Sequence, residues 1–213
     1  MLVGLAYLFR SRFSWGKTIL LSALVLPAAL WLFAGRQSDL DISNRGNTGQ
    51  SRIQLWSAGL QLFRRAPLFG IGKDEYPEEV SLVAHNSFLH CFAELGLFGG
   101  TLFLGTFVCS FWMLHRLASS PWRFADPWLL RLRGYLLAIV VAYFFGLLSL
   151  SRSYVVTPYL ILGVVTAFVR QFRVSALPPV LTFNLKVILR LGMASAAYLV
   201  VIYGIVRIFA SWG

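Results

Sequence analysis

Acidic side chains are scarce in this chain. Eight Asp and Glu stand against nineteen Lys and Arg, and charge of either sign makes up 13% of the residues. So little charge cannot clothe a chain that is 58% hydrophobic, which rules against a water-soluble globule and points to a multi-pass membrane protein. Short alternating apolar segments are lacking too. The apolar runs reach helix length, so the fold expected is all-α and not a β-barrel. Cysteine is almost absent. On one continuous helix Cys91 and Cys109 would stand about 27 Å apart at roughly 1.5 Å per residue. A disulfide needs Cα atoms within about 7 Å, so both read as small apolar packers. The three histidines form no HExxH motif and no Cys/His cluster, so neither a metal nor another cofactor is expected. The net charge of +11 would suit nucleic acid, but in a membrane protein basic loops that fix topology explain it better, and no nucleic-acid partner is expected.

What is there is a series of apolar spans, which the sequence places at about 18–34, 96–114, 134–150, 154–169 and 187–208 of a single membrane domain, 1–213. Pro27 is expected to kink the first, and the fourth begins near Pro158. Met1 to Phe9 is too short to span and is followed by Arg10 and Arg12, the reverse of the order in a signal peptide, so it reads as the tail of a helix. Arg10, Arg12 and Lys17 precede the first span. Arg116, Arg123, Arg131 and Arg133 separate the second from the third, and Arg170, Arg173, Lys186 and Arg190 the fourth from the fifth. The positive-inside rule puts these three segments in the cytoplasm and the 35–95 loop outside. Seven of the eight acids, Asp39 to Glu94, fall in that loop, and its own arginines nearly neutralise them.

Within the loop, residues 39–50 are polar and rich in Gly and Asn, the composition of a flexible segment. Residues 51–65 read as an amphipathic helix with Ile53, Trp56, Leu60 and Phe63 on one face. Arg64 and Arg65 suit its C-terminal end and Pro67 stops it. Beside a membrane, such a helix is expected to lie in the interface with Trp56 at headgroup level. Gly70-Ile71-Gly72 is a turn. No strand and no βαβ unit surround it, so it is not a dinucleotide fingerprint.

Four places invite chemistry. His85 precedes an expected helix that Asn86 or Ser87 can cap. The positive potential there keeps imidazole neutral, and a neutral imidazole can serve as general base near pH 7. His90, five residues on, points about 140° away, so the two histidines are not a metal pair. Arg52 sits in the first turn of the loop helix, an unfavourable place for a cation. It holds either an anionic ligand or a lipid phosphate. Arg152, in the turn between the third and fourth spans, either binds phosphate bidentately or anchors that turn at headgroups. The acids Asp74, Glu75, Glu78 and Glu79 suit a solvated loop better than a catalytic pair. Gly96, Gly99 and Gly100 allow close approach of helices.

Taken together, Arg52, Trp56, Pro67-Leu68-Phe69-Gly70-Ile71-Gly72, His85-Asn86, Gly96 and Gly99 resemble, in order and in membrane side, a signature of the O-antigen ligase and O-antigen polymerase family. The likeness runs over about residues 18–170 and is densest in 52–99. It implies an all-helical membrane glycosyltransferase of lipopolysaccharide biosynthesis in the bacterial inner membrane, working on its periplasmic face. Such a protein moves a glycan from an undecaprenyl-diphosphate carrier to lipid A-core, a growing polymer or a protein hydroxyl. By position, His85 would deprotonate the acceptor and Arg52 would hold the diphosphate. Arg152, Trp56 and Asn86 join them as candidate substrate-binding residues. Family members have about twice as many spans and a further arginine motif upstream. The chain is therefore expected to be a truncated copy or one part of a split enzyme, active when the other half is supplied. The alternatives are a bicarbonate-type solute transporter, which the lack of ionisable residues in mid-span disfavours, and a non-catalytic remnant or subunit.

Overall fold

In the computed structural model, the residues described are 48–119, 127–173 and 184–209. They form six helices and no strand. These are α1 (Thr48–Arg65), α2 (Glu75–Val80), α3 (Ser87–Ser119), α4 (Pro127–Leu147), α5 (Val156–Arg173) and α6 (Leu185–Phe209). The expected span at 18–34, the segment before it and the polar stretch up to residue 47 lie outside the described residues. Among the described residues, three helices are long and apolar enough to cross a membrane: Ser87–Leu117, Trp128–Leu147 and Leu185–Phe209. Val156–Gln171 is a shorter apolar helix.

α3 is the hub, packing against α1, α4, α5 and α6. Phe88, at its outset, is fully buried. Its ring lies 4.9 Å from Phe144 of α4, 5.8 Å from Phe107 and 5.9 Å from Tyr198 of α6. Leu137, Val140 and Val165 close the same core from α4 and α5. In lipid such contacts stabilise chiefly by close packing, because hydrocarbon tails are as apolar as leucine.

The chain ends of the helices sort the charges. At the far end of α3, Trp112 is covered by Arg116, 5.6 Å from the ring centre, and by Arg190 of α6, 4.9 Å away. Arg133 near the start of α4 donates to the Leu114 carbonyl at 3.0 Å. This basic end is opposite the end where α1 and α2 sit.

α1 ends at Arg65, ahead of Pro67, as proline dictates. It is buried on more of its circumference than a single amphipathic stripe would be. Trp56 and Leu60 face α3 and α6. Leu55 and Leu62 are buried as well, and Gly59 lies against Tyr76 and Leu89. The Tyr76 hydroxyl donates to the Leu55 carbonyl at 2.6 Å.

α3 is not one straight rod. Gly96 has φ 66° and ψ −165°, which breaks it. The Pro67–Gly72 segment fills the break. Leu97 and Phe98 donate backbone hydrogen bonds to the Pro67 and Leu68 carbonyls, and Ile71 and Gly72 donate to those of Ala93 and Glu94. Gly70 and Gly96 meet back to back. A Cβ on Gly70 would fall 2.2 Å from the Glu94 backbone, and one on Gly96 2.4 Å from that of Leu68. Both glycines have positive φ, so sterics and backbone conformation each demand glycine there. The glycines of this segment thus serve the path of the backbone.

Candidate functional site

The site is built where three segments converge on the first residues of α3. From α1, the Trp56 indole N–H donates to the Ala84 carbonyl at 3.0 Å. The residue after Ala84 is His85. It sits at φ 49°, a left-handed conformation uncommon outside glycine and asparagine, and this turns the chain into the helix. Asn86 is the cap: its side-chain oxygen accepts the N–H groups of Phe88 and Leu89, both at 3.2 Å, and its carbonyl accepts the first helical bond, from His90. The same side-chain oxygen receives the Tyr198 hydroxyl at 2.8 Å, which ties in α6.

Ser87 binds the third segment. Its hydroxyl donates to the Leu150 carbonyl and accepts the Arg152 N–H at 2.9 Å. Its own carbonyl accepts the Ser153 hydroxyl at 3.1 Å. The turn that carries Arg152 is thereby fixed two residues from His85, with the Arg152 side chain exposed.

His85, Arg52 and Trp56 are each half-buried. Burial lowers the His85 pKa from its ordinary 6.5, and the positive charge of Arg52 lowers it further. The imidazole is therefore kept neutral by desolvation and by a neighbouring guanidinium. Among the described residues no carboxylate pairs with Arg52. The arrangement offers, at a half-buried helix start, a proton acceptor and a cation close enough to depress its pKa.

Of the residues singled out from sequence, Arg52, Trp56, His85 and Asn86 come together, and Arg152 arrives through its backbone. Asn86 is fully buried and works as cap and cross-helix tie. The four acids from Asp74 to Glu79 do not converge on the site. All are exposed, Asp74 pairs with Lys73 at 2.8 Å, and Glu79 with Arg65 at 2.9 Å.

One acid has a different place from that expected. Glu94, counted from sequence among the loop charges, lies inside α3 and is fully buried. Its Oε1 accepts the Tyr76 N–H at 3.1 Å and lies 3.1 Å from His90 Nε2, while its Oε2 accepts the Tyr154 hydroxyl at 2.6 Å. Tyr76 stacks on His90 with ring centres 5.0 Å apart. His90, four residues before Glu94, thus faces inward into this clasp and away from His85. The sequence held a signal for the pair: a histidine and a glutamate at i, i+4 in an otherwise apolar run have each other as nearest partner. Tyr76, Tyr154 and Tyr198 gave no such signal, because their roles depend on segments 18 to 112 residues away.

Residues 1–104 match the family model of O-antigen ligase. The match covers just under half of the chain and is consistent with the O-antigen ligase family. The matched stretch holds Arg52, Trp56, His85, Asn86, Glu94 and Gly96, whereas Arg152, Tyr154 and Tyr198 lie beyond it. No curated protein matches the chain. Family and apolar helices agree on a membrane protein with an O-antigen ligase-like function, which implies lipid-linked or glycan substrates.

Proposed function

We propose that the chain transfers a glycan from an undecaprenyl-diphosphate carrier to a hydroxyl of lipid A-core, a growing polysaccharide or a protein, on the periplasmic face of the bacterial inner membrane. In this reading the acceptor oxygen attacks the anomeric carbon as the bond from that carbon to the carrier diphosphate breaks. His85 takes the acceptor proton, and the departing diphosphate keeps the electron pair. A base near neutral pH and fixed positive charge on the leaving group are what such a step needs. Arg52, joined by the exposed Arg152, holds the diphosphate. Trp56 keeps the Ala84–His85 segment in place, and Asn86 acts through the position its cap gives His85.

The observation that carries this reading is that a half-buried imidazole has its pKa lowered by burial and by an arginine free of any described carboxylate partner. The pair belongs to the stretch matched to O-antigen ligase. The positive-inside bias supports the periplasmic side, since the basic end with Arg116, Arg133 and Arg190 is opposite the site.

The test is His85→Gln, with glycan transfer and membrane-inserted protein measured side by side. Glutamine can hydrogen-bond but accepts no proton at neutral pH. Transfer is expected to fall by about 10²–10⁴ with the inserted amount unchanged. Wild-type transfer by this variant would remove the base role.

A further inference from the structure

A second cationic feature stands farther out on the same end of the molecule. The last turns of α1 and α6 run alongside each other and enclose a groove of about 490 Å3. Its floor is apolar and buried, made by Leu60 and Val206. Its walls are polar: Gln61 and Arg64 from α1, Tyr203 and Arg207 from α6. The Arg64 guanidinium lies over the Tyr203 ring, 5.3 Å from its centre. Arg207 donates to the Tyr203 hydroxyl at 3.1 Å. Two arginines from different helices thus converge on one phenol.

Each arginine occupies the last turn of its own helix, where the dipole favours a cation. That accounts for one positive charge at each end, but not for turning both toward one ring, where they repel. The neighbouring Arg65 shows how this protein quiets such a charge, through Glu79 at 2.9 Å. Arg64 and Arg207 have no carboxylate partner among the described residues. Planar guanidinium forks facing a shared space match the oxygens of a phosphate, with Gln61 as a further donor. Along α6, Arg207 is nine residues past Tyr198, the residue bonded to Asn86. Along α1, Arg64 is twelve residues past Arg52, about 18 Å at 1.5 Å per residue, so the Arg64–Arg207 pair is a cation cluster separate from Arg52.

We propose that the groove between Arg64 and Arg207 is a second anion site that takes a phosphate group, carried either by a lipid headgroup or by a phosphorylated glycan. The site stands or falls independently of the transfer reading. Its test is binding of inorganic pyrophosphate to the full chain in phosphatidylcholine nanodiscs, in an Arg52→Gln background so that the other cation does not contribute. Replacing both arginines, Arg64→Gln with Arg207→Gln, is expected to weaken binding at least tenfold. Arg65→Gln removes one nearby charge and is expected to leave binding within twofold. Retention of full charge in Arg64→Lys with Arg207→Lys separates fork geometry from net charge, and partial binding is expected there. A second arm adds phosphatidylglycerol to the nanodiscs. Competition with pyrophosphate assigns the site to a lipid headgroup, and its absence assigns it to a phosphate on a glycan. Undiminished binding in the double glutamine variant, or an equal loss in Arg65→Gln, would overturn the proposal.

Discussion

Around Glu94 each oxygen of the carboxylate is engaged and the side chain is shut off from solvent. Around Arg52 and His85, about two and a half turns away along the chain, a guanidinium and an imidazole are left half-exposed, with no described carboxylate between them. Both clusters draw on the same helix and on the same loop between α1 and α3. The difference lies in where bonding capacity is spent. The Glu94 clasp joins α2, α3 and the turn before α5, and with the Gly70–Gly96 contact it locks the broken helix. The outer pair keeps its chemistry available because Trp56, Asn86 and Ser87 do the holding for it.

This contrast can be broken most severely at the clasp. Glu94→Ala leaves His90, Tyr154 and the Tyr76 N–H without their acceptor in a sealed space. A buried donor left unsatisfied costs about 1–3 kcal/mol, and several are left here at once, so inserted protein is expected to fall sharply and transfer with it. A stable, fully inserted Glu94→Ala protein would show that the clasp is not what holds the turn. At the outer pair the pattern should reverse. Arg52→Lys keeps the charge but loses the planar fork, and is expected to lower transfer by at least about tenfold at an unchanged protein level. Equal transfer by wild type and the lysine variant would return Arg52 to anchoring at lipid headgroups.

The smallest effect is the most specific. Arg52→Gln removes the charge that helps depress His85, so an NMR titration should show the His85 pKa rising toward 6.5 and not beyond it, with the share due to burial remaining. Arg52→Lys should leave it nearly where it is. The sign for stability follows. A histidine with a depressed folded pKa takes up its proton more readily when unfolded, so its contribution is present above pH 6.5 and is lost as pH falls through the lowered value. An unmoved titration in Arg52→Gln would mean that the two side chains do not sense each other.

Sequence alone determined the class of molecule, because apolar content and the scarcity of charge admit few folds other than a helical membrane bundle. It also determined α1 and its end, since amphipathic spacing, the paired arginines and Pro67 are local signals. The motif from Arg52 to Gly96 marked the resemblance to O-antigen ligases without any structure. Cap assignment was legible down to two neighbouring residues, and hydrogen-bond geometry then settled it on Asn86. Tertiary structure alone decided the rest. Gly96 could be read as a packing residue, but that it breaks a helix to admit Gly70 depends on a backbone segment 26 residues earlier. The burial of Glu94 depends on tyrosines that come from α2 in one case and from the turn after α4 in the other. The influence of Arg52 on His85, and the convergence of Arg64 and Arg207 on Tyr203, arise because α1 packs against both α3 and α6. Periodicity tells which face of a helix is apolar, but not which other helix that face will meet, because that choice is made by long-range packing and not by neighbours in the chain.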